Sequence, residues 1–327
     1  MSLSEIIGHK KQLEILRLAL AHGRLHHAYL FVGPEGVGKR TVALSLARAI
    51  HCSAGNDDFC GQCANCARIQ AGNHPDVRVI EPLPDKKEIS IQQIREIEKA
   101  LNFRSFSGGR KIAVIDPATL MNLAAQNALL KTLEEPPQNS VLILIALNAG
   151  GLLPTLRSRC LRLSFGPVQR DLLASFLAAK GMNPENANFL AAMSGGSPGV
   201  AVSIDSEELR EKRRLWGGLL SGLNAGGYRA ATEAAEALAS TREETLKFIE
   251  WAQTWYRDLL IHAVTQNCRD IINLDMASQI EEHSAHGDIE QLLSLLARTT
   301  AAGAHIQRNL NRRMVLESLF FTAVGAR

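Results

Sequence analysis

Two groups of residues in this 327-residue chain have types and spacings that could do chemistry. The first lies between Ala28 and Thr41, which reads Ala-Tyr-Leu-Phe-Val and then Gly-Pro-Glu-Gly-Val-Gly-Lys-Arg-Thr. A short apolar run, a glycine-rich turn and then Val42 to Ala47 read as strand, phosphate loop and helix. Gly33, Gly36 and Gly38 would let backbone N–H groups turn inward around a polyphosphate. Lys39 adds a point charge, and the N-terminus of the following helix favours an anion. The spacing G-x-x-x-x-G-K is complete, but the next position, ordinarily the Ser or Thr that holds Mg²⁺, is Arg40. Thr41 comes one residue too late, and on a helix one residue turns a hydroxyl away by about 100°. The stretch reads as a nucleotide pocket without its metal ligand, and ATP binding there stays open.

The second group is Cys52, Cys60, Cys63 and Cys66, separated by seven, two and two residues. Four thiolates so close, ending in interlocked C-x-x-C pairs, can close a tetrahedral Zn²⁺ site with no bound water. Gly55, Asn56, Asp57, Asp58 and Gly61 supply the turns. Disulfides or a redox pair compete with this reading, but six cysteines with four crowded together do not resemble a secreted disulfide scaffold. A closed shell of this kind is scaffold and does no chemistry.

The elements that must hold these groups fit an ordinary globular chain. Apolar residues make up 46% and charged ones 21%, enough for two or three domains with cores. Aromatics at 5% argue against a base-stacking nucleic-acid module, and a net charge of +3 confines any DNA contact to a local patch. No signal peptide is expected from Met1 to Ile6, and the apolar run Val141 to Leu147 is far short of the ~20 residues of a membrane helix. A reducing, cytoplasmic location follows.

Along the chain, Leu13, Leu16 and Leu20 share one face of an opening helix, Leu13 to Ala21. His26 and His27 read as loop polar groups before a buried strand. Strands are expected at Val77 to Ile80, Lys111 to Ile115, Val141 to Leu147 and Leu161 to Phe165. Between them, Ile91, Ile94, Ile97 and Leu101 mark a helix over Ile89 to Phe103, Ser107-Gly108-Gly109 a turn, and Ala124 to Glu135 a helix stopped by Pro136-Pro137. Asp116 ends a strand, where a P-loop ATPase keeps the aspartate that reaches its metal; it could equally cap the next helix. The next residue, Pro117, has no base to polarise water. Later helices are expected at Asp171 to Lys180, Pro184 to Met193, after Ser197-Pro198, and at Arg242 to Val264, Ile289 to Ala302 and Ile306 to Val324. Trp216, Trp251 and Trp255 are expected in the core.

The phosphate loop, the Cys₄ insertion, Asn127-Ala128-Leu129-Leu130-Lys131-Thr132-Leu133-Glu134-Glu135-Pro136-Pro137 and Ser158-Arg159-Cys160 follow one another in one order. Together they resemble bacterial clamp-loader AAA+ subunits over essentially the whole chain. The resemblance implies an α/β AAA+ P-loop domain over 1–166, with a parallel sheet and the zinc insertion at 52–66. A three-helix lid over 167–206 and an all-α collar over 207–327 would follow. In ATP-hydrolysing members a G-S-x-R motif stands where this chain has Gly195-Gly196-Ser197-Pro198-Gly199, so Gly199 takes the place of a phosphate-sensing arginine. Metal ligand, water-activating base and that cation are all missing, which implies a non-hydrolysing subunit; the alternative is an active ATPase of the gamma/tau kind. The residues left for a nucleotide are Gly33, Gly36, Gly38, Lys39, Thr41 and Asp116.

By the same resemblance, Arg159 is an arginine finger offered in trans to ATP held by a neighbouring subunit, with Arg157 the weaker candidate. The plain alternative pairs Arg159 with a carboxylate of its own domain. Implied partners are clamp-loader subunits of gamma/tau and delta type in a hetero-oligomeric ring. The sliding clamp and primer–template DNA are reached through that complex, and no membrane is involved.

Overall fold

A computed structural model describes residues 3–54, 58–106, 108–268, 270–285 and 288–325, so Gly55, Asn56, Asp57 and Ser107 lie outside the described residues. The chain divides into two compact units, Met1–Ser203 and Ile204–Arg327.

The first unit alternates helix and strand: α1 Lys10–Ala21, β1 Ala28–Val32, α2 Lys39–His51, α3 Ala64–Gln70, β2 Val77–Ile80, α4 Ile91–Asn102, β3 Lys111–Ile115, α5 Leu123–Glu134, β4 Ser140–Ala146, α6 Pro154–Arg157 and β5 Leu161–Ser164. The strands form one parallel sheet in the order β2-β3-β4-β1-β5. Every residue of β1 and β4 is buried, as expected of central strands covered on both faces. On one face Phe31, Val42, Leu46, Val114 and Ile143 form a core with α1 and α2; on the other, Leu30, Ile94, Ile115, Leu129 and Leu144 form a second with α4 and α5. Helix starts are set by local chemistry: Ser90 and Gln93 form a reciprocal capping box on α4, and Asn122 accepts from Ala125 N–H at the start of α5. The capping alternative for Asp116 is therefore not taken up. Three short helices, α7 Arg170–Ala179, α8 Pro184–Met193 and α9 Pro198–Ser203, close this unit.

The second unit is all helix: α10 Ser206–Leu238, α11 Arg242–Thr265, α12 Ala277–Ser284, α13 Ile289–Gln307 and α14 Arg312–Gly325. The charged segment after Asp205 is the first part of α10, which breaks at Gly227, whose φ of 61° and ψ of −150° are not helical. The expected helix from Ile306 to Val324 is instead interrupted, with Asn309 in the left-handed region between α13 and α14. The buried face of α11 runs through Thr245, Phe248, Ala252, Trp255 and Leu259, while Leu246 and Leu260 are only partly buried. All three tryptophans are buried.

Within this apolar core Arg213 is 1% exposed and donates to both carboxylate oxygens of Asp275 at 3.0 Å and to Asn273 Oδ1 at 2.6 Å. Asp258, also fully buried, accepts from the backbone N–H groups of Ile272 and Asn273. Among the described residues no helix is long and apolar enough to cross a membrane.

Candidate functional site

The glycine-rich loop leaves the C-terminal end of β1, beside its neighbours β4 and β5, and enters α2 at Gly38. In open parallel sheets ligands bind beyond these strand ends. Gly38 and Gly36 both have positive φ, 111° and 68°, as the turn requires. Lys39 is buried and its ammonium donates to the carbonyls of Gly33 at 2.6 Å and Pro34 at 2.5 Å, so it closes the loop on itself. Burial lowers its pKa, opposed by the charges of Asp116 and Glu35.

Arg40 defines the site. Its guanidinium pairs with Glu81, just past β2, and lies 3.7 Å from Asp116, just past β3. A permanent cation therefore sits between two carboxylates at the ends of neighbouring strands. Burial raises the Asp116 pKa, opposed first by Arg40. Thr41 is exposed and joins none of these groups. Glu81 was not singled out in the sequence; the only signal was that a charged residue in the metal-ligand place needs a carboxylate.

Gly199 meets the glycine-rich loop through backbone. Gly199 N–H donates to Gly36 O at 2.8 Å, and a Cβ at Gly199 would stand 3.0 Å from Gly36 Cα and O. At Gly36 a Cβ would meet Val200 at 2.9 Å. The loop is thus sealed against the start of α9. On its other side His9 Nε2 meets Val37 O at 2.9 Å.

Arg159 is held by a different set of residues. It follows α6, whose start is braced by buried Gln126: Gln126 Oε1 accepts from Leu153 N–H at 2.9 Å and its amide donates to Met121 O at 3.1 Å. Arg159 itself donates to Glu134 Oε1 at 2.7 Å and to Thr155 O at 2.8 Å. The ion pair is exposed on both sides, 36% for Arg159 and 52% for Glu134. Such pairs are worth about 0–1 kcal/mol, so the guanidinium is easily released to a better anion. The positioning role of Gln126 was legible only as a polar residue at an inward helical position. Cys160 is half-buried and its thiol is pushed up to about 12 by burial, which suits packing and not a nucleophile.

The cysteines do come together: one sulfur from each of Cys52, Cys60, Cys63 and Cys66 lies within 4.8 Å of the others. A tetrahedral Zn–S distance of about 2.3 Å requires sulfurs about 3.8 Å apart, so small rotations would close the shell. All four are free thiols, Cys63 caps α3, and the N–H groups of Cys60, Cys63 and Cys66 point at neighbouring sulfurs at 3.2–3.5 Å. Those bonds favour thiolate, and the donor set fits a metal ion of the zinc class. Asp58 takes up the approach, accepting from Leu3 N–H at 2.9 Å and Phe59 N–H at 2.8 Å. His26 and His27 stack at 4.3 Å and join no ligand group among the described residues.

One pH dependence follows here. Burial holds His9, His27 and His74 below the usual imidazole pKa. The unfolded chain, with its histidines near 6.5, takes up protons first as pH falls. Stability from these groups is therefore complete above about pH 6.5 and declines below it. Urea midpoints at pH 7.5 and 5.5 should show the loss; equal midpoints would contradict it.

Fold and site together define an α/β domain with a five-stranded parallel sheet and a glycine-rich loop after its first strand, followed in sequence by a helical unit. The family described as DNA polymerase III, delta subunit, matches residues 8–169, and the family of its C-terminal part matches residues 218–323. DNA polymerase III subunit delta′ of Pseudomonas aeruginosa is 33% identical over 304 residues, covering 90% of this chain and 90% of that protein. The Escherichia coli subunit delta′ is 29% identical, covering 91% of this chain and 88% of that protein. Subunit tau of Bacillus subtilis is 26% identical and is covered over only 51% of its length. The chain belongs to the family of DNA polymerase III delta prime subunits.

Proposed function

We propose that this chain takes the delta prime place in a DNA polymerase III clamp loader without hydrolysing ATP itself, and that it offers Arg159 to ATP bound by the next subunit. The observation that carries this reading is Arg40, a fixed cation between Glu81 and Asp116 where a hydrolytic site needs Mg²⁺. The second support is the exposed guanidinium of Arg159, whose planar, permanent charge suits the γ-phosphate of another subunit. Residues 1–166 act as the AAA+ domain, 167–206 as its lid and 207–327 as the collar that meets gamma/tau and delta type subunits. Through that ring the chain supports placement of the sliding clamp on primer–template DNA in the cytoplasm. Cys52, Cys60, Cys63 and Cys66 hold Zn²⁺ as scaffold.

Incubating the lone chain with Mg-ATP tests the first half. Turnover at background is expected, and Arg40→Thr is expected to leave it there, since Pro117 and Gly199 still withhold the base and the sensor. Removing one preorganised charge-stabilising group commonly costs about 10²–10³ in rate, and several are absent here. Magnesium-dependent hydrolysis by the lone chain would establish the active-ATPase alternative instead.

A further inference from the structure

We propose that His262, Cys268 and Glu281 form a second metal site, in the helical unit, for a divalent transition ion of the zinc class. One ligand atom from each residue lies within 4.8 Å of the other two. The three come from different elements: the last turn of α11, the loop after it, and α12. Gln266 caps α11 in the left-handed region, φ 52°, and donates its N–H to His262 O at 2.8 Å. That turn sends the chain back so that Cys268 returns to the helix end. The far end of the loop is pinned by buried Asp258, which takes the N–H groups of Ile272 and Asn273 at 2.8 and 2.7 Å.

The ring nitrogen available to an ion is fixed by a partner that is not itself a ligand. Ser284 Oγ lies 2.7 Å from His262 Nδ1 and also meets Glu281 O at 3.1 Å, so Nδ1 is engaged and Nε2 is the ring nitrogen that faces an ion. An imidazole held at one ring nitrogen by a second residue is oriented as ligating histidines usually are. Cys268 Sγ–H donates to Glu281 Oε1 at 3.5 Å, which places a proton between sulfur and carboxylate where an ion could bridge them. Binding releases that proton and turns the thiol to thiolate. Nitrogen, sulfur and oxygen donors together select zinc-like ions over Ca²⁺ or Mg²⁺, which take oxygen ligands, and three protein ligands leave a fourth position to water. His283, on the same helix, is not part of the site, because its two nitrogens meet Gln279 O and Ser221 Oγ.

The full-length chain, dialysed against Zn²⁺ and washed, tests this by metal content per chain. One zinc equivalent should vanish in Cys268→Ser and in Glu281→Gln yet persist in Cys60→Ser, which separates it from the four-cysteine cluster. Glu281 is exposed, so Glu281→Gln is expected to keep the fold, checked by a zinc-free thermal melt. Zinc content equal to wild type in either Cys268→Ser or Glu281→Gln overturns the site.

Discussion

Arg159→Ala is expected to lower ATP turnover roughly 10³-fold at the one pocket of the assembled loader that receives this arginine. That factor corresponds to about 4 kcal/mol of transition-state stabilisation. The whole loader then loses the share of turnover which that pocket carries. The variant should fold and assemble normally, because the interactions it gives up, with Glu134 and Thr155, are exposed. Its melting temperature is expected to stay within the reach of about 0.5 kcal/mol. Arg159→Lys should rescue little, since an ammonium cannot present the planar fork of a guanidinium. Single-turnover hydrolysis by loaders rebuilt with each variant is the measurement. Unchanged turnover would return Arg159 to the plainer role of partner to Glu134.

The second large effect concerns the four cysteines. With zinc removed by a chelator, or with Cys66→Ser, the segment between α2 and α3 loses the bonds that shape it. Loss of a structural metal belongs among the few changes that cost about 4 kcal/mol or more. In a unit of this size that lowers the melting temperature by about 10 °C. Cys66 feels it most, as the cysteine buried against Ile69 and Phe59 in the core; without metal its thiol is pushed up to about 12, chiefly by burial. Metal analysis, with a calorimetric scan before and after chelation, reads both halves. A chain with no zinc, or one whose melt ignores the chelator, would end this reading.

Much of the first unit was legible because its signals are local. The strands at Val77–Ile80 and Lys111–Ile115 are found as expected, since short β-branched runs between turn residues leave little freedom. Lys39, Arg40 and Asp116 were singled out because their types are fixed by phosphate and metal chemistry. Invisible in the sequence was the answer to the missing hydroxyl: Arg40 reaches Glu81, forty-one positions away, and only the parallel sheet brings β2 and β3 side by side. The seal between Gly36 and Gly199 is equally non-local. The helical unit was read less well. Most of α10 and all of α12 went unmarked, because a helix buried on several sides loses the clean apolar stripe that periodicity needs.

Arg213, sunk in the apolar heart of the helical unit, also constrains how this chain can change over generations. A guanidinium there cannot shed its proton, so Asp275→Ala removes the carboxylate that balances a buried charge, and Asn273→Ala removes one of its acceptors. Replacing Arg213 and its partners together by well-packed apolar side chains need not do such harm. The single replacements are therefore expected to cost more than the joint one, so the members of this cluster act as one unit whose separate effects do not add.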